Sequence, residues 1–228
     1  MHWCDVFGPP GVGKSTLCNP IWGHREVGWD GKLPPAHWQP FIDEVTSLFL
    51  TIRNHWSFVP AVRMNNRSFR KMATVARMEQ PEGRPPFVQV GFIQRGLGFG
   101  WRINQAGGDI NLIRPFFQTM PVSVGVAFLE APPEVIVARN NARKDVPETA
   151  HEDRAYQVPL MQEPIRIAKE VLRGRGVPII EIDTTQPINT ARQQLLDFAN
   201  REPFDTSQDG SGGEMEVLSE PPPWWQRS

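Results

Sequence analysis

The sequence is poor in cysteine and tyrosine: two of the former, Cys4 and Cys18, and one of the latter, Tyr156, in 228 residues. Two thiols cannot make the disulfide framework of a secreted scaffold; they are read as core thiols, in a chain expected in a reducing cytoplasm. Also missing is any run near the ~20 apolar residues that a membrane-spanning helix needs, and no leader of basic then apolar residues precedes the first motif. A soluble protein is therefore expected. Neither sign of charge dominates, since 24 basic and 25 acidic residues leave a net charge of −1. That excludes a global positive field drawing the chain to nucleic acid, although an average leaves room for a local basic groove. Proline (23) and tryptophan (8) are plentiful. The length suits one domain with a substantial core, and no internal repeat is visible.

One stretch carries recognisable chemistry. Gly8, Pro9, Pro10, Gly11, Val12, Gly13, Lys14, Ser15 and Thr16 follow the apolar pair Val6-Phe7 and precede residues able to begin a helix. They match the phosphate loop G-x-x-x-x-G-K-[ST] in the strand–loop–helix setting that such a loop requires. The glycines let successive N–H groups turn toward phosphate oxygens, and the helix adds its positive dipole end. Lys14 would reach the β- and γ-phosphates, and the Ser15 hydroxyl would ligate Mg²⁺. ATP and Mg²⁺ are the expected cofactors.

Around the loop, apolar runs predict strands over His2–Phe7, Phe87–Ile93, Val122–Leu129 and Val177–Ile182. Helical spacing predicts helices over Pro35–Trp56, Asn65–Glu79, Ala150–Arg173 and Ile188–Asn200, with another opening at Pro133. Prolines predict breaks: Pro20 in the first helix, Pro115 within Asn111–Met120, and Pro159 and Pro164 in the long one. Gly96 to Arg102 reads as a flexible stretch. Alternating strands and helices predict an α/β three-layer fold with a mainly parallel sheet of about five strands. Residues 1–202 form one expected domain, with a lid region over about 132–160. Residues 203–228, ending in a Pro-Pro-Pro-Trp-Trp segment, are expected to be a disordered or docked tail.

The Asn-Lys-x-Asp signature of switch GTPases is absent, and no carboxylate follows the apolar run ending at Ile93. Val122–Leu129, then Glu130-Ala131-Pro132-Pro133-Glu134 and a helix bearing Arg139 and Arg143, resemble the nucleotide- and nucleoside-kinase group of P-loop proteins. The resemblance implies a P-loop kinase fold with a helical lid. It makes Arg139 and Arg143 lid-side arginines that close on the ATP phosphates, with Arg154 a further candidate. Arg95 matches the arginine of the Asp-Arg pair that ends a strand in these kinases, with Gln94 where their acid stands. A hydroxyl acceptor benefits from a carboxylate base. Asp30 is favoured from its place after the first helix; Asp109, Asp43 and Glu44 are the alternatives.

Trp22, Trp29, Trp38, Trp56, Phe99 and Trp101 suggest a flat acceptor held by stacking. The Phe7–Thr16 loop near the start of the chain and the Gln94-Arg95-Gly96 segment resemble, more narrowly, phage kinases acting on 5-hydroxymethyluracil in DNA. That resemblance implies DNA containing 5-hydroxymethyluracil as partner, a flipped-out base, and Arg67, Arg70, Lys71 and Arg102 as DNA-backbone contacts. A kinase of a free nucleoside, nucleotide or other small alcohol remains the alternative, and a P-loop ATPase or nucleotide-binding regulatory protein a third reading.

Overall fold

The computed structural model describes residues 3–22, 34–52, 70, 72–76, 86–89, 91–122, 124–143 and 149–204. Its centre is a parallel sheet of strands β1 (Cys4–Phe7), β2 (Phe87–Val88), β3 (Gly125–Glu130) and β4 (Ile179–Asp183), in the order β2-β1-β3-β4. The first strand is thus central, paired to β2 on one side and to β3 on the other. Among the described residues the sheet has four strands, against the expected five or so.

Strand alternation sends neighbouring side chains to opposite faces, and each face of the sheet has its own core. On one side Trp3, Phe7, Val126 and Phe128 join apolar residues of α2 (Gln39–Ile52), α3 (Phe92–Gln105), α4 (Arg114–Thr119) and α6 (Thr149–Gly174). On the other, Cys4, Val6, Ala127 and Leu129 meet α1 (Lys14–Trp22), α5 (Pro133–Asn141) and α7 (Ile188–Ala199). The first core is a ladder of edge-to-face rings, with centroids 4.8 Å apart for Phe41–Phe92, 4.9 Å for Phe41–Phe116 and 5.0 Å for Phe49–Phe99. Trp38 and Phe99 are buried inside it, so these two serve packing and present no face to an acceptor.

Two expectations are corrected. The strand expected over Phe87–Ile93 stops at Val88, and Phe92 to Gln105 is helix, including the supposed flexible glycines. Phe92, Ile93, Leu97, Gly100 and Ile103 are its buried face at helical spacing. A Cβ on Gly96 would lie 2.6 Å from the Phe116 and Phe117 rings, and one on Gly100 2.8 Å from Ile113 and Pro164. These glycines permit close approach of helices and do not mark a loop.

The expected helix breaks at Pro20, Pro159 and Pro164 do not occur. A helical proline orphans the carbonyl four residues earlier, since it has no N–H. For Pro20 that carbonyl is Thr16, which accepts from the Arg192 guanidinium at 3.2 Å. For Pro164 it is Leu160, which accepts from Asn104 Nδ2 at 3.2 Å. Each donor comes from a neighbouring helix, so both helices run through. Pro115 behaves as expected: a 3₁₀ turn (Ile110–Ile113) ends just before it and α4 begins with it in the first turn.

The expected helix over Asn65–Glu79 lies mostly outside the described residues, as do Arg67, Lys71, Trp29, Trp56 and the tail from 205. Phe204, beyond the expected domain edge at 202, packs against the larger core. No helix among the described residues is long and apolar enough to cross a membrane.

Candidate active site

The loop between β1 and α1 opens at the C-terminal edge of the central strand, where parallel α/β sheets hold their ligands. It lines a cleft of about 520 Å³ whose far wall is α5, the loop after β4 and the start of α7. Gly11 and Gly13 have φ of 85° and 104°, a left-handed conformation that side chains disfavour. The loop residues from Pro10 to Thr16 line this cleft together with Arg139 and Arg143, and no carboxylate lies in the lining among the described residues. Lys14 Nζ folds over the loop, donating to the Gly8 carbonyl and, at 3.1 Å, to that of Pro9.

The last turn of α5 grips the loop from behind. Asn140, a buried polar residue, donates from Nδ2 to the Pro10 carbonyl at 2.9 Å. Arg139 donates to the Val12 carbonyl at 3.2 Å. Within a trans peptide the C=O and the following N–H point opposite ways. Pinning the carbonyls of Pro10 and Val12 therefore fixes the outlook of the Gly11 and Gly13 N–H groups. Arg139 also bonds Thr184 Oγ1 at 3.0 Å and the Thr184 carbonyl at 2.9 Å. Thr184 is itself held to the end of β3, its N–H on the Glu130 carbonyl at 2.8 Å. Asp183 closes the turn, accepting from the Thr185 N–H at 2.8 Å, and that bond holds its carboxyl below the usual range.

Gln89, just past β2, faces the start of α1. The Ser15 hydroxyl donates to Gln89 Oε1 at 3.3 Å, and Gln89 Nε2 donates to Asn19 Oδ1 at 3.1 Å. The exposed Ser15 hydroxyl, its proton directed to a neutral carboxamide, is thus an oxygen of the hard type that would suit Mg²⁺ brought in with a nucleotide's phosphates. Groups of three or more His, Cys, Asp or Glu able to hold a metal are absent among the described residues.

The structure thus brings together Gly8 to Thr16, Arg139 and Arg143. Arg95 stands in the first turn of α3 and does not end a strand, and Gln94 beside it does not take the place of the strand-end acid; that position is Gln89. Asp109 accepts from the Asn111 N–H at 3.0 Å, which holds its carboxyl down and makes it a poor proton acceptor. It follows the C-terminal end of α3, a helix ~20 Å long that starts beside β2. Asp43 is bonded by Gln39 Nε2 at 2.8 Å on the exposed face of α2, and Glu44 lines a separate groove with Asp109. Asp30 lies outside the described residues, as does the Arg154 side chain.

Sequence reasoning missed Asn140, Gln89 and Asn19, whereas Thr184 falls in the Ile182-Asp183-Thr184-Thr185 segment that resembles such kinases. Of the three, only Gln89 had a signal: it directly follows the apolar pair Phe87-Val88, before Gly91 opens a helix.

Neither a protein-family model nor a curated protein matches the sequence. Among solved structures, the chain is similar to a deoxyadenosine kinase from M. mycoides with bound dATP, at 14% identity and a TM-score of 0.55. The match covers 87% of this chain and 99% of that one. The likeness is one of architecture, and the chain has the parallel, three-layer fold of a P-loop kinase.

Proposed function

We propose that the chain is an ATP-dependent kinase, a phosphotransferase whose acceptor is a hydroxyl of a nucleoside unit. The observation that carries this reading is the cleft itself: a pre-shaped phosphate loop, Lys14, Arg139 and Arg143 converge on it, with no carboxylate among the described lining residues. Phosphoryl transfer needs positioning and charge neutralisation more than covalent help. The fold likeness to a deoxyadenosine kinase supports a nucleoside as the first acceptor to offer.

In this reading the Gly11 and Gly13 N–H groups and Lys14 receive the phosphates. Arg143, exposed at the cleft mouth, closes on them as Lys14 exchanges loop carbonyls for phosphate oxygens. Arg139 holds the loop and the Thr184 turn in one piece. Magnesium, held by Ser15 with the phosphates, supplies charge neutralisation at the transferring group. Asp30 takes the acceptor's proton, and Arg95 contributes from α3 on the acceptor side.

The acceptor hydroxyl of 5-hydroxymethyluracil in DNA is the narrower form of the reading, supported by the Phe7–Thr16 loop pattern. The test is label transfer from γ-labelled ATP with Mg²⁺ to deoxyadenosine, other nucleosides and nucleotides, thymine DNA and hydroxymethyluracil DNA. Label in a free nucleoside or nucleotide establishes the kinase and removes the DNA form. Label in hydroxymethyluracil DNA alone selects that form. Free phosphate without a labelled acceptor refutes the kinase reading in favour of an ATPase.

A further inference from the structure

The end of β2 carries Gln89, a neutral carboxamide, against the Ser15 hydroxyl of the phosphate loop. For a hydroxyl to ligate a cation, its lone pairs must face the metal and its proton must go elsewhere. A carboxylate is the usual taker of such a proton because it can only accept. A carboxamide can do the same only if its oxygen, and not its NH₂, is turned to the hydroxyl. Here that orientation is set from outside: Gln89 Nε2 donates to Asn19 Oδ1 at 3.1 Å, one turn further along α1 from Ser15. The three side chains form a directed chain in which Ser15 donates to Gln89 and Gln89 donates to Asn19.

We infer that Gln89, oriented by Asn19, is the positioning residue of the metal end of this cleft, and that the described residues offer that cation neutral oxygens only. The inference rests on the nucleotide-binding reading of the loop. With no carboxylate among the described residues of the cleft lining, the phosphates would supply the negative charge that holds the metal. The cation then arrives with the nucleotide and leaves with it. A metal alone would then find no cluster of charged ligands among the described residues. The 3.3 Å between Ser15 Oγ and Gln89 Oε1 is looser than the ~2.8 Å of a strong O–H···O bond. A cation on Ser15 would polarise the hydroxyl and draw the pair together.

The experiment is calorimetric binding of ATP to the full chain, with and without Mg²⁺, alongside Mn²⁺ binding without nucleotide followed by its electron paramagnetic resonance signal. The wild type, Gln89→Glu, Gln89→Leu and Asn19→Leu are compared, and thermal unfolding confirms that each is folded. Wild-type protein should bind ATP more tightly with Mg²⁺ and should not bind Mn²⁺ alone. Removing an oriented outer partner typically costs about tenfold or more in metal affinity. Gln89→Leu and Asn19→Leu should therefore both lose the Mg²⁺ enhancement and keep the Mg²⁺-free affinity within about threefold. Gln89→Glu should do the reverse, with weaker Mg²⁺-free binding, a larger Mg²⁺ enhancement and measurable Mn²⁺ binding.

An unchanged Mg²⁺ enhancement in both leucine variants overturns the inference. So does Mn²⁺ binding by the wild type without nucleotide. ATP binding indifferent to Mg²⁺ in the wild type overturns it while leaving the nucleotide reading intact. No ATP binding under either condition removes that reading itself. Gln89→Glu is nearly isosteric and keeps the proposal falsifiable should a leucine variant fail to fold.

Discussion

Asp5 holds a carboxyl in the middle of β1, on the face shared by Trp3 and Phe7, and is only 1% exposed. Trp3 Nε1 donates to Oδ2 at 2.9 Å, while Oδ1 has no hydrogen-bond partner among the described residues. Burial disfavours the charged form and lifts the group from 3.8 to about 7, against the smaller opposing effect of the Trp3 bond. Between those values the folded chain keeps a proton that the unfolded chain has lost. The contribution of Asp5 to stability is therefore full below pH ~4 and falls by up to ~1.4 kcal/mol per pH unit as pH rises toward 7. Asn at this position keeps an oxygen for Trp3 and does not titrate. Asp5→Asn should melt higher than wild type at pH 8, with the gap closing toward pH 4. Parallel melting curves across that range would disprove the assignment. The same scale decides the loop: Asn140→Ala removes the donor to the Pro10 carbonyl and should weaken ATP binding about tenfold, or ~1.4 kcal/mol. Unchanged affinity in a folded variant would show that the loop keeps its shape without this hold.

Helices in this fold tolerate prolines because their neighbours complete the hydrogen bonding. Asn104→Ala leaves the Leu160 carbonyl without its side-chain donor inside α6 and should cost about 1–3 kcal/mol in chemical denaturation. In a Pro164→Ala background a main-chain N–H becomes available to that carbonyl, and the added cost of Asn104→Ala should shrink. Additive losses in the double-mutant cycle would contradict this account. The same elements show how far the sequence could be read. The phosphate loop, the mainly parallel character of the sheet and α7 were legible, because local patterns specify them. The path from Phe87 to Gln105 was not. Glycine is local evidence for a turn, and only the rings of Phe116 and Phe117, distant in sequence, make Gly96 a packing residue. Asn140 was invisible for the same reason: its partner Pro10 lies 130 residues away.

The molecule as a whole is nearly neutral, with a net charge of −1, yet its cleft lining among the described residues holds Lys14, Arg139 and Arg143 and no acid. Such local charge is only partly screened by salt. Transfer to a free nucleoside should accordingly fall by a small factor between 50 and 200 mM salt, on the order of a few-fold. A DNA acceptor held by several phosphate contacts should lose on the order of a thousandfold in affinity over that interval. Initial rates at subsaturating acceptor across a salt series discriminate the two. Arg139 joins regions of the chain that sequence keeps far apart, with one guanidinium bonded both to the Val12 carbonyl in the phosphate loop and to Thr184. Any movement of the Thr184 turn would thus pull, through one planar group, on the Val12–Gly13 peptide of the phosphate loop, so that what happens at one wall of the cleft is felt at the other.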